Sequence, residues 1–117
     1  MPPAYVPDRG DLVWLHFDPQ VGHEQSGTRP ALVVSPRAYN ARVGLALFCP
    51  VTSQIKGYPF EVVLPGGLKL KGAVLCDQLK SLDWRVRKAK YAAKMPPAGL
   101  GEVVDRILAL VDPTSTE

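Results

Sequence analysis

The sequence predicts a mainly β protein, either a small barrel or a strongly bent antiparallel sheet, with one amphipathic helix near the C-terminus. Short apolar runs recur along the 117 residues, and prolines and glycines separate them, which is typical of a β-rich domain with tight connections. One segment near the end instead repeats its apolar residues at spacings of three and four, as an amphipathic helix does. Because 46% of the residues are hydrophobic, the chain can bury a core. We expect a single domain over residues 1–117.

Six apolar runs predict strands. In chain order they cover residues 11–18, 31–35, 45–52, 60–64, 73–78 and 85–93. The second run must be buried on both faces, because neither alternate set of side chains from Ala31 to Val34 is polar. Residues 36–41 predict a helical turn. The C-terminal helix is predicted by an apolar stripe that we expect to pack on the sheet, namely Leu100, Val103, Val104, Ile107, Leu108 and Val111.

The composition excludes several classes of protein. No apolar run approaches the ~18 residues of a membrane span, and residues 1–5 have neither the charge nor the apolar core of a signal peptide. We therefore expect a cytoplasmic protein. Cys49 and Cys76 lie within apolar runs and predict buried free thiols. Two cysteines without a Cys/His cluster do not form a zinc site, so we expect no metal and no cofactor.

Positive charge is concentrated in one part of the chain. The formal net charge is +3, yet residues 80–94 contain six lysines and arginines and a single aspartate. Trp84 and Tyr91 lie among these cations. A basic stretch with aromatic residues can follow the backbone of a polyanion. The same pattern also suits a solvated edge strand that positive charge protects from pairing, and the sequence leaves both interpretations open.

Arg29 lies just before the run 31–35, which we predict to be a strand buried on both faces. A guanidinium presents a rigid fork of donors that fits a phosphate or a carboxylate, although an arginine at a strand end can also form a structural ion pair.

Two polar loops that contain glycine, residues 19–28 and 53–59, lie between apolar strands. Such loops are where binding and catalytic residues concentrate.

Several short motifs along the chain occur in an order that is specific to one known family. They are YVPD at 5–8, GDLVW at 10–14, FDP at 17–19, EQ at 24–25, RPA at 29–31, SP at 35–36, KGYPFEV at 56–62 and DQLKS at 77–81. In this combination the chain resembles the MazF/PemK family of toxin–antitoxin endoribonucleases. The resemblance covers most of the chain and is weakest in the C-terminal third.

The resemblance implies both a fold and an activity. It implies an SH3-like barrel with added helices, and a homodimer that cuts single-stranded RNA at short sequences without a metal. It also implies a cognate antitoxin that covers the cleavage site, and we expect this partner to be acidic, because a site for RNA phosphates also accepts carboxylates. The catalytic arginine of the family falls on Arg29 and its threonine on Thr52. The acidic residue that some members use falls on Glu24.

These residue types suit RNA cleavage by the substrate's own 2′-hydroxyl group. Arg29 can donate two parallel hydrogen bonds to the phosphate, whose negative charge increases in the transition state. The Thr52 hydroxyl can orient a phosphate oxygen. Glu24 is the candidate general base. We interpret Gln54, Lys56, Gln78 and His23 as candidate RNA contacts, since amides can pair with exposed base edges and lysine with phosphate. Capping amides, a solvated lysine and an exposed loop histidine are the structural alternatives for these four residues.

A different function remains possible for the same fold. Relatives with this barrel inhibit a DNA gyrase by binding alone and cut no RNA. Arg29, Thr52 and Glu24 together favour cleavage, because a protein that acts only by binding does not need them.

Overall fold

Seven strands and two α-helices lie in the part of the chain that the computed structural model describes, residues 4–16, 27–112 and 114. In chain order they are β1 (Asp11–His16), β2 (Thr28–Val33), α1 (Arg37–Val43), β3 (Leu45–Thr52), β4 (Glu61–Val63), β5 (Ala73–Leu75), a 3₁₀ turn (Cys76–Gln78), β6 (Lys80–Asp83), β7 (Lys90–Lys94) and α2 (Pro97–Val111). The predicted mainly β fold with a C-terminal helix is confirmed. Neither helix in the described ranges is long and apolar enough to cross a membrane.

β3 is the centre of an antiparallel sheet in the order β4-β5-β3-β2-β1-β7. One edge of β3 pairs with β2. The other edge is divided, since residues 45–48 pair with β6 and residues 51–52 pair with β5. The described ladders end at β4 on one side and at β7 on the other, so they form an open sheet and not a closed barrel.

The two faces of the sheet carry two separate apolar clusters. On one face α2 packs its fully buried Val103 into a cluster that contains Leu12 and Leu32. On the other face Phe48 and Trp84 belong to the second cluster. Successive side chains of β2 alternate between these faces, and residues 31–33 are all 0% exposed. The prediction of a doubly buried strand is therefore confirmed for residues 31–33.

The predicted strand over residues 85–93 is wrong for residues 85–89 and confirmed for residues 90–93, which belong to β7. A tight turn occupies residues 84–88 and separates β6 from β7. The Asp83 carboxylate accepts the backbone N–H groups of Arg85 and Val86, both at 3.0 Å, and Lys88 has a left-handed φ of 54°. An aspartate that bonds to the backbone ahead of it favours a turn over an extended strand.

Other predicted elements differ from the observed ones mainly at their ends. β3 has the predicted bounds of 45–52, whereas the predicted strand 73–78 ends at residue 75, where the 3₁₀ turn begins. The predicted helical turn 36–41 is the helix α1, which ends at Val43 and is capped by Gly44 with a φ of 83°. Residues 17–18 of the first predicted strand lie outside the described ranges.

Candidate active site

A cleft of about 580 Å³ opens where β2 begins and β3 ends. Its walls consist of Arg29, Pro30, Pro50, Val51, Thr52, Ser53, Gln54, Lys71, Leu75, Gln78 and Lys80. Three of these side chains are cations, and among the described lining residues no carboxylate offsets them. The cleft is therefore a polar, positively charged hollow suited to an anion.

β2 holds Arg29 at the edge of this cleft. Its backbone pairs with Leu15 of β1, so the sheet fixes its position, while the residue itself is exposed. Among the residues that the structure describes, no carboxylate lies within ion-pair distance of the Arg29 guanidinium, and no hydrogen bond from it is formed. Within the described ranges, the donors of this guanidinium are thus available to a ligand.

The register of β2 and β3 brings Arg29 and Thr52 together. Ala31 lies opposite Pro50, the last pair of this ladder on the side of the cleft, and Arg29 and Thr52 each lie two residues beyond that pair. Residues two apart in a strand project their side chains to the same face of a sheet. Both residues line the cleft, and Thr52 is partly buried while Arg29 is exposed. A cation and an alcohol therefore face one open site.

The other predicted site residues are divided between the cleft and its surroundings. Gln54 and Gln78 line the cleft, the first from the loop after β3 and the second from the 3₁₀ turn. Lys56 lies in the same loop as Gln54 and is exposed, but it is not part of the cleft wall. Glu24 and His23 lie outside the described residues.

Two cations of the cleft were not predicted as site residues. Lys80 had a weak signal, because it begins the basic stretch 80–94. No sequence signal indicated Lys71. It reaches the cleft because the backbone of its neighbour Gly72 packs closely against β3. A Cβ atom on Gly72 would lie 2.2 Å from the Thr52 carbonyl oxygen, and the φ of Gly72 is +136°. A glycine is therefore required at that position.

The sequence is similar to those of known proteins. Residues 8–111 match the family described as PemK-like, MazF-like toxin of type II toxin–antitoxin system. The chain belongs to this family. It is 49% identical to the endoribonuclease toxin MazF of Escherichia coli K12 over 92% of this chain and 96% of that protein. It is 36% identical to the endoribonuclease PemK of Escherichia coli, with coverage of 89% and 81%.

Solved structures agree with this assignment. The crystal structure of MazF from Deinococcus radiodurans has a TM-score of 0.84 and 56% identity, and the match covers 92% of this chain and 98% of that one. A MazE–MazF complex from the same organism has a TM-score of 0.84 and 50% identity, covering 93% and 98%. The predicted family and fold are confirmed, and the names of the relatives confirm the predicted enzyme class, an endoribonuclease.

Proposed function

We propose that the chain is the toxin of a type II toxin–antitoxin system and cleaves single-stranded messenger RNA at short sequences, without a metal, in the cytoplasm. The observation that carries this proposal is that Arg29 and Thr52 line one cationic cleft. A cleft of this kind can hold a phosphodiester between a fixed guanidinium and a hydroxyl group, which is what transfer at phosphorus requires.

The reaction needs no nucleophile from the protein. The 2′-oxygen of a ribose attacks the adjacent phosphorus, the bond to the 5′-oxygen breaks, and the products are a 2′,3′-cyclic phosphate and a 5′-hydroxyl. In this proposal Arg29 donates two N–H groups to the non-bridging oxygens as their charge increases, and Thr52 donates its hydroxyl to one of them. Glu24 accepts the proton of the 2′-hydroxyl, and an acid or water protonates the leaving oxygen.

RNA recognition is assigned to the groups around these two residues. We propose that Gln54 and Gln78 pair with the edges of unstacked bases, which is how proteins commonly read single-stranded RNA. Lys71 and Lys80 of the cleft wall, together with Lys56, would hold phosphates, and His23 is a further candidate RNA contact. Arginine and lysine side chains that bind phosphates displace the cations condensed on the RNA, so the affinity for RNA should depend strongly on salt concentration.

The same cleft is suited to an acidic protein partner. MazE–MazF complexes are known for the Deinococcus radiodurans relative, and we propose that a cognate acidic antitoxin inhibits this chain by occupying the cationic cleft. We also propose that the protein acts as a homodimer, each copy forming a single domain over residues 1–117.

The test is incubation of the purified protein with a long single-stranded RNA of defined sequence in excess chelator. We expect discrete fragments that end in a cyclic phosphate and begin with a 5′-hydroxyl, with no such fragments from Arg29→Ala. If the RNA stays intact while expression of the protein still arrests growth, the proposal is overturned in favour of a toxin that acts by binding alone.

A further inference from the structure

The loop between β3 and β4 is held in place by groups that lie outside it. The Glu61 carboxylate accepts the backbone N–H groups of Lys56 and Gly57, both at 3.1 Å. From α2, Arg106 donates from Nε to the Pro59 carbonyl oxygen at 3.0 Å. A glycine-containing loop with this many anchors has one preferred conformation, although most of its residues are exposed.

One further contact joins this loop to a second wall of the cleft. The Tyr58 hydroxyl donates to Oδ2 of Asp77 at 2.8 Å, and the Tyr58 ring lies 6.0 Å from the ring of Phe60. Asp77 belongs to the 3₁₀ turn and directly precedes Gln78. The hydrogen bond to the Asp77 carboxylate, with the charge of that carboxylate, raises the pKa of Tyr58, so the phenol remains a donor at and above neutral pH.

Gln54 and Gln78 approach the cleft from the two segments that this contact connects. Gln54 lies in the loop that carries Tyr58, and Gln78 follows Asp77 in the turn. We propose that Tyr58 and Asp77 are positioning residues that set the spacing of Gln54 and Gln78, and thereby determine which RNA sequence the cleft accepts. This inference rests on the proposed cleavage of RNA.

The spacing matters because hydrogen bonds tolerate little displacement. An N–H···O bond has a donor–acceptor distance of about 2.7–3.2 Å and weakens outside that range, so a small movement of one amide reduces its ability to distinguish bases. Arg29 and Thr52, in contrast, are held by the strands β2 and β3. Loss of the Tyr58–Asp77 contact should therefore reduce discrimination between sequences more than it reduces the rate of the chemical step.

The experiment compares two short RNAs, one with the sequence that the wild-type protein cuts best and one with a single changed base. Tyr58→Phe keeps the ring and removes the donor, and Asp77→Ala removes the acceptor. We expect the ratio of kcat/KM for the two RNAs to fall roughly 3- to 10-fold in each variant, in line with the loss of one hydrogen bond, while the single-turnover rate on saturating preferred RNA changes by less than about twofold.

Three controls make the result decisive. Tyr39→Phe alters another exposed tyrosine, which lies in α1, and should leave the ratio unchanged. Asp77→Asn keeps an acceptor oxygen and should restore most of the discrimination. The double variant Tyr58→Phe/Asp77→Ala should be no worse than either single variant. The inference would be overturned by unchanged discrimination in a folded Tyr58→Phe protein or by additive losses in the double variant. Failure of the wild-type protein to cut RNA would instead overturn the proposed function.

Discussion

The Thr52 side-chain oxygen accepts the backbone N–H of Gln54 at 3.1 Å. This hydrogen bond uses the hydroxyl as an acceptor and leaves its hydrogen to point elsewhere. Because Thr52 ends β3 and lines the cleft, the bond orients the hydroxyl at the point where the strand becomes the loop. One atom thus stabilises the turn and, in the proposed mechanism, presents a donor to the phosphate.

Thr52→Val should remove both functions while preserving the shape of the side chain. We expect the cleavage rate to fall about 10²–10³-fold, as for the loss of one preorganised donor to a developing charge. Thr52→Ser keeps the hydroxyl and should retain most of the activity. Measurement of single-turnover cleavage for both variants tests this, and equal rates for Val and Ser would contradict it.

Arg29→Ala should abolish detectable cleavage and leave the fold intact. The residue is exposed, so the free energy of unfolding should change by no more than about 0.5 kcal/mol. Arg29→Lys keeps the charge but loses the two-pronged donor geometry, and we expect it to remain strongly impaired. Arg42→Ala, an exposed arginine of α1, is the matched control. Cleavage near the wild-type rate by folded Arg29→Ala protein would refute the assignment.

Glu24→Gln tests the proposed general base. A base must be deprotonated to act, so the wild-type rate should rise with pH until Glu24 is ionised and then level off. The variant should be slower, with a smaller loss than Arg29→Ala, and should lack this rising limb. The measurement is the single-turnover rate as a function of pH for both proteins. The same pH profile in the two proteins would remove Glu24 from the mechanism.

Lys71 and Lys80 should contribute to RNA affinity through phosphate. Replacement of either lysine by glutamine should reduce the slope of log affinity against log salt by roughly 0.7, the value for one phosphate contact on a single strand. Lys69→Gln is the matched control, because this exposed lysine lies close in sequence but outside the cleft wall. Binding of an uncleavable RNA at several salt concentrations measures the slopes, and equal slopes for all three variants would contradict the prediction.

Cys49 and Cys76 should be unreactive in the folded protein. Both thiols are buried and unbridged, as predicted, and burial raises the pKa of Cys49 to about 12 and that of Cys76 to about 11. Since the thiolate is the nucleophile, a maleimide at pH 7 should label neither residue until the protein is unfolded. Mass spectrometry with and without denaturant checks this, and rapid labelling of native protein would show that the core opens there.

Several features of this protein could be predicted because they depend on residues close together in the chain. The apolar run 45–52 marked β3 with its observed bounds, and the repeat of apolar residues after residue 99 marked α2. Arg29, Thr52, Gln54 and Gln78 were recognised from motifs, and the structure places all four on one cleft.

The tertiary structure decided how distant segments meet. The pairing of β2 with β3 brings Arg29 and Thr52 to one cleft, and the close approach of Gly72 to β3 brings Lys71 to the same cleft. The hydrogen bond between Tyr58 and Asp77 likewise joins two segments that are far apart in the chain. Local patterns of polarity determine strands and helices. Strand pairing and loop contacts join residues that are far apart in the chain, so these contacts form only when the whole sheet is assembled.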